Sequence, residues 1–254
     1  MLQVYYYNKL QTLDTKGLRK GSLFLFNIYG MISVIMISYL GEYQGSRKDP
    51  ESKFIRAVNS FINQSIGSER CELIIISDGC QITNRLYLES FSQISNITLI
   101  REQKSINTYP GELRQIGVER SKFEYITYLD TDDFFLKDRL LNCYNAIKIS
   151  KYPFLLDVIY NIPLSAGQKR GVMISEFKSL GMDFIKLKVR WESGTFQFIH
   201  RKSIRASWKG SDKRGEDYNF ASQVYRNYSL NPEDLKLEID GYIICHHPTF
   251  GFDI

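Results

Sequence analysis

From Met31 onward the chain alternates short, β-branched apolar runs with segments whose apolar residues recur every three or four positions. Runs of the first kind are what strands buried on both faces look like. They predict strands over 31–37 (MISVIMI), 72–77 (ELIIIS), 97–100 and 125–129 (YITYL). Segments of the second kind predict helices over 52–64, where Phe54, Ile55, Val58, Phe61 and Ile62 share a face, over 83–91, and over 110–120, which opens on Pro110. This order predicts an α/β fold with a mainly parallel central sheet flanked by helices, whose right-handed crossovers bring the four carboxyl ends to one edge. Ligands bind at that edge in such sheets. The second half is less regular: helices are expected over 137–149 and 215–225, strands over 155–160, 195–200 and 241–245, and a loop over 165–170 (SAGQKR).

Residues 22–40 (SLFLFNIYGMISVIMISYL) also admit a membrane anchor, but Asn27, Gly30, Ser33 and Ser38 interrupt a span that needs roughly 20 mostly apolar residues. The preferred reading makes residues 1–30 an N-terminal extension and 31–254 a single domain. No repeat, low-complexity tract or linker divides the latter. With 43% apolar residues the chain can bury a core, which excludes a disordered or fibrous protein. A net charge of +5 suits an anionic ligand or membrane surface, yet is too small to make nucleic acid the expected partner. Cys71, Cys80, Cys143 and Cys245 stand far apart, without zinc-site spacing, and are expected to be reduced thiols of a cytoplasmic protein.

The chemistry-bearing residues fall at the strand ends. Tyr39 follows the first strand, Asp78 the second, and Asp130-Thr131-Asp132-Asp133 the fourth. Three carboxylates in four residues repel one another unless solvent or a cation relieves them, so the run is either a magnesium or manganese site or a solvated acidic turn. Glu216-Asp217 opens a helix, where acidic residues favour the positive end of the macrodipole. No glycine-rich phosphate loop follows the first strand, where Ser38-Tyr39-Leu40-Gly41 stands instead, which disfavours dehydrogenases and nucleotidyltransferases.

Taken together, MISVIMISY, ELIIISDG, LRQIGVERSKFEYITYLDTDDFFLKDRL and GEDYNF resemble a family 2 inverting glycosyltransferase with the GT-A (nucleotide-diphospho-sugar transferase) fold. The likeness is good over about 31–140 and weaker over 191–250. It implies a nucleotide-binding half (31–135) and an acceptor-binding half (136–254). Ile37, Ser38 and Tyr39 would line the nucleoside pocket, with the Tyr39 ring against the base. Asp78 would accept from the uracil imide, although many members carry two acidic residues where this chain has Ser77-Asp78. Arg114, with Gln115 and Gly117, would set a cation near the donor phosphates or ribose. Asp130-Thr131-Asp132 matches the Asp-x-Asp motif, so Asp132 would ligate Mn2+ or Mg2+ directly and Asp130 would contact ribose or the ion through water. Asp133 would orient the loop. Asp217 would be the catalytic base beside Glu216. His247 would complete metal or diphosphate binding, with His246 pointing to the opposite face. Trp191 and Glu192 fall in a loop between donor and acceptor, the indole either stacking on sugar or packing inside. Lys169 and Arg170 would close over the diphosphate or stand as exposed charge. The implied reaction moves a sugar from a UDP-sugar to a glycan or lipid-linked acceptor in surface polysaccharide synthesis, with peripheral membrane association. A catalytically inactive nucleotide-binding scaffold is the alternative of a different class.

Overall fold

The computed structural model describes residues 31–42, 49–103, 109–156, 159–162, 173–177, 182–187, 198–209, 216–230 and 241–245. The expectations for 1–30, 165–170, Lys169, Arg170, Trp191, Glu192, His246 and His247 lie outside them. In chain order the elements are β1 (Ile32–Ser38), α1 (Pro50–Ile62), β2 (Cys71–Asp78), α2 (Gln81–Ser90), β3 (Ile97–Glu102), α3 (Pro110–Arg120), β4 (Tyr125–Tyr128), β5 (Phe134–Phe135), α4 (Arg139–Ile149), β6 (Phe154–Leu156), β7 (Ile159–Ile162), β8 (Met173–Phe177), β9 (Met182–Leu187), β10 (Phe198–Arg201), α5 (Glu216–Tyr228) and β11 (Tyr242–Cys245).

The main sheet runs β3-β2-β1-β4-β10-β6. Strands β1 to β4 are mutually parallel, and β10 joins β4 and β6 antiparallel. Their continuous apolar sequences follow from burial on both faces. Val34, Met36, Leu73 and Ile75 pack with Phe54, Val58 and Phe61 of α1, Leu86 of α2 and Ile147 of α4. The alternate residues Ile35, Ile74, Ile76, Ile126 and Tyr128 pack with Leu113 of α3, Trp208, and Phe220 and Val224 of α5. Chain order leaves β1 for β2 and β3 on one side, then returns across it to β4 on the other. The carboxyl ends of β1 and β4 therefore flank a topological switch point, where a crevice opens.

Gly117 seats α3 against this sheet. A Cβ there would lie 2.5 Å from Ile35 Cγ2 and 3.1 Å from Ile76 Cδ1, so only glycine permits the approach.

One expectation needs correction. Residues 155–160 do not make one strand: β6 borders the main sheet, whereas β7 belongs to a second sheet, β5-β11-β7-β9-β8. An apolar run records that residues are buried but not which sheet buries them, so a change of sheet within it leaves no trace. The strand expected over 195–200 is observed as Phe198–Arg201, residues 195–197 lying outside the described set. The two-residue β5 was too short for any periodicity to show. Among the described residues no helix is long and apolar enough to cross a membrane, and the first apolar run is β1. Cys71, Cys80 and Cys143 are free and buried.

Candidate active site

At the switch point lies a cavity of about 410 Å³ lined by Ile37, Ser38, Tyr39, Asp78, Pro110, Leu113, Asp130, Thr131 and Asp132. Seven of the expected donor-site residues thus share one crevice, contributed by the ends of β1, β2 and β4, with α3 as a further wall. Pro110 and Leu113 were not expected there; proline at a helix start gives no sign of what it faces.

The floor is fixed by polar ties. The Ser38 and Thr83 hydroxyls lie 2.7 Å apart, and the Leu40 amide donates to Cys80 Sγ at 3.2 Å. Burial pushes the Cys80 thiol up, but hydrogen bonds from Thr83, Leu40 and Ile82 outweigh it, and its pKa is lowered. Past Asp78 the chain turns at Gly79, whose positive φ of 61° suits glycine and whose amide donates to the Glu102 carbonyl. A Cβ on Gly41 would stand 2.8 Å from Tyr39 Oη, so glycine leaves room for the Tyr39 ring to lie back over the chain.

The acidic turn is held from outside the cavity. Asp133 is buried and is not a lining residue of the cavity. Tyr242 Oη donates to Asp133 Oδ2 at 2.9 Å and accepts from the Asp130 amide at 3.1 Å. Burial and the charges of Asp133 and Asp130 raise the Tyr242 phenol well above its ordinary pKa, so it stays a proton donor. Arg56 donates to the Asp132 carbonyl at 2.5 Å while its guanidinium lies over Phe134. Asp130, Thr131 and Asp132 are left on the cavity wall. Tyr242 arrives through pairing of β11 with β5, opposite Phe135, a long-range contact that no local signal announces.

Arg114 is not a lining residue of the cavity; it is buried at 4% exposure. Its Nη1 donates to Glu216 Oε1 at 3.1 Å, and its Nη2 stands 3.5 Å from Asp130 Oδ1. Glu216 is the first residue of α5, so this guanidinium joins the donor crevice to the helix that carries Asp217. Asp217 itself is not a lining residue of the cavity.

Beneath Arg114 sits Trp208, also unforeseen. The Arg114 guanidinium lies 5.4 Å from its ring centroid, and Phe220 of α5 stacks on it at 4.3 Å. Trp208 Nε1 donates to Tyr128 Oη at 2.7 Å, which lies 2.9 Å from His200 Nε2. His200 Nδ1 lies 2.8 Å from the Arg201 carbonyl. A carbonyl only accepts, so Nδ1 carries the proton, Nε2 accepts from Tyr128, and every polar atom in the row is satisfied with a neutral imidazole. Burial lowers the His200 pKa from 6.5 to about 4, against a smaller rise from the bond to Arg201.

Among the described residues no three His, Cys, Asp or Glu side chains cluster as a metal site. The two carboxylates on the cavity wall, Asp130 and Asp132, nevertheless fit magnesium or manganese. Such ions take oxygen ligands and commonly need only one or two protein carboxylates, with phosphate and water completing the shell.

A family model for glycosyl transferase family 2 matches residues 33–208. Poly(ribitol-phosphate) beta-glucosyltransferase of Bacillus spizizenii is 24% identical over 180 residues, 69% of this chain and 28% of that protein. Poly(ribitol-phosphate) beta-N-acetylglucosaminyltransferase TarP of Staphylococcus aureus is 24% identical over 203 residues, 76% of this chain and 59% of that one. The chain therefore spans less than two thirds of either relative. Among solved structures, S. aureus TarS in complex with UDP superposes with a TM-score of 0.63 at 18% identity, covering 85% of this chain and 60% of that one. TarS in complex with UDP-GlcNAc gives 0.59 at 19% identity, covering 85% and 58%. The architecture in common is the GT-A fold.

Proposed function

Because the chain belongs to glycosyl transferase family 2, we propose that it is a metal-dependent inverting transferase moving a sugar from a UDP-sugar to an acceptor hydroxyl. The single observation that carries this reading is the crevice at the switch point, where Ser38, Tyr39 and Asp78 share one cavity with Asp130, Thr131 and Asp132. A nucleoside at the first group and a diphosphate at the second span such a space. The TarS complexes with UDP and UDP-GlcNAc support the choice of donor.

Tyr39 offers a ring face to the base, and Asp78 accepts from the uracil imide. Asp132, with Asp130 and His247, would hold Mn2+ or Mg2+, which when bound stabilises the negative charge gathering on the departing diphosphate. Asp217 takes the proton of the acceptor hydroxyl as its oxygen attacks the anomeric carbon from the face opposite UDP. One base suffices for direct displacement with inversion. Residues 31–135 then form the donor half and 136–254 the acceptor half, with Trp191, Glu192 and His246 on the acceptor side. The acceptor is a glycan or lipid-linked polymer of surface polysaccharide synthesis; the poly(ribitol-phosphate) relatives make a polyol phosphate chain the first to try. The protein works in the cytoplasm, peripheral at the inner membrane face.

Titration of UDP, GDP and uridine by calorimetry, with and without manganese, tests this reading. Manganese-dependent binding of UDP in preference to GDP, followed by release of UDP from a UDP-sugar, is the expected result. Well-folded protein that binds no nucleotide would be a scaffold instead.

A further inference from the structure

Arg114 joins a carboxylate of the cavity wall to the head of α5. Its planar guanidinium presents N–H groups along separate edges, so Nη1 can meet Glu216 Oε1 at 3.1 Å while Nη2 faces Asp130 Oδ1 at 3.5 Å. Three surroundings hold it there. Gly117, three residues on, lets α3 settle against Ile35 and Ile76. Trp208 lies under the guanidinium, and its backbone amide donates to Gln115 Oε1 next to Arg114 in α3. The Trp208 indole reaches Tyr128, two residues before Asp130, and stacks on Phe220, one turn after Glu216. The three elements that meet at Arg114 thus also meet at Trp208. With Arg114 at 5% side-chain exposure and Glu216 at 13%, water screens the pair little.

We propose that Arg114 is a positioning residue: by linking Asp130 to Glu216 it sets where the neighbouring Asp217 carboxylate stands relative to the bound donor. This assignment rests on the transferase reading and departs from the one the sequence suggested, in which Arg114 would itself hold donor phosphate or ribose. The two roles separate by chemistry. A donor ligand contributes to UDP binding, whereas a link between donor site and base contributes to turnover once the donor is bound. Removing the charge of Glu216 releases the guanidinium from one partner, which would leave UDP binding unchanged or tighter and cannot harm a donor ligand.

The experiment compares wild type with Glu216→Gln, Arg114→Lys and the double variant, measuring UDP affinity by calorimetry, with and without manganese, and steady-state transfer or donor hydrolysis. Arg85→Gln, which loses only the exposed pairs with Glu51 and Glu89, is the control and should match wild type. Glu216→Gln should keep UDP affinity and donor KM within about threefold while kcat falls by ~10–100-fold. Arg114→Lys should lose kcat similarly, because an ammonium is a point charge that cannot span both carboxylates. The double variant should be no slower than the slower single, since both break one link. Unaltered kcat in Glu216→Gln, or a tenfold loss of UDP affinity as the main effect of Arg114→Lys, would overturn the assignment while leaving the transferase reading intact. Wild type that neither binds UDP nor turns over would remove both. If Arg114→Lys does not fold, judged by its thermal transition, the kcat and KM values of Glu216→Gln decide alone.

Discussion

Lowering the pH should destabilise this protein through His200 in a way that can be isolated. The imidazole is fully buried, with the Tyr128, Phe198 and Phe220 rings 5.8, 5.9 and 5.3 Å from it. Its Nε2 accepts from a hydroxyl that already receives the Trp208 indole N–H. Protonating Nε2 would point two donors at Tyr128 Oη and leave the phenol proton without its acceptor, besides burying a charge. Folding therefore depresses the pKa, from 6.5 to about 4. Between those values the unfolded chain binds the proton and the folded one does not, so the contribution is whole above 6.5 and lost as pH falls toward 4. At ~1.4 kcal/mol per pH unit the loss approaches 3 kcal/mol. Urea unfolding at intervals from pH 7.5 to 4, followed by Trp fluorescence, measures it. Carboxylates add their own acid dependence, so the comparison is with His200→Gln, which keeps a polar side chain of similar size but does not titrate. The wild-type decline should exceed that of the variant by about 3 kcal/mol. Parallel curves would show that His200 titrates normally and that the hydrogen-bonded row is not as described.

Other perturbations test separate steps. Gly117→Ala would ordinarily favour a helix, but its Cβ would meet the buried, β-branched Ile35 at 2.5 Å; a net loss of about 1–3 kcal/mol in urea unfolding is expected. A gain in stability would mean that α3 does not sit so close. Asp217→Asn should lower turnover ~10²–10⁴-fold with UDP affinity almost unchanged, and an equal loss of affinity would remove it as the base. Asp132→Ala should abolish the manganese dependence of UDP binding; wild-type affinity and manganese response in that variant would end the metal assignment. Tyr242→Phe leaves Asp133 buried without its hydroxyl donor and should cost about 1–3 kcal/mol by thermal or urea unfolding, whereas no change would place the hydrogen bond elsewhere.

Much of the donor side was legible along the chain, and the reason is physical. Parallel strands buried on both faces are apolar at most residues, so β1, β2 and β4 announce themselves as runs, and in a parallel sheet their carboxyl ends necessarily share an edge. Ser38, Tyr39, Asp78 and Asp130 to Asp132 therefore needed only the order of the runs to be gathered into one crevice. The Pro110 helix start was equally plain, because proline suits a first turn. What tertiary structure alone decided depends on contacts between residues about a hundred positions apart, which leave no local pattern. Arg114 reads as an ordinary helix arginine until Glu216 arrives, 102 residues later. Asp133 reads as a third carboxylate of the acidic turn until Tyr242 of β11 draws it inward. The run over 155–160 changes sheets without changing character. Trp208, too, carries no motif, since an indole that stacks on Phe220, bonds Tyr128 and underlies Arg114 acquires its role only where those chains converge. Local pattern determined which side chains would be buried and at which strand ends the chemistry would fall; the packing of distant elements determined which charges would meet.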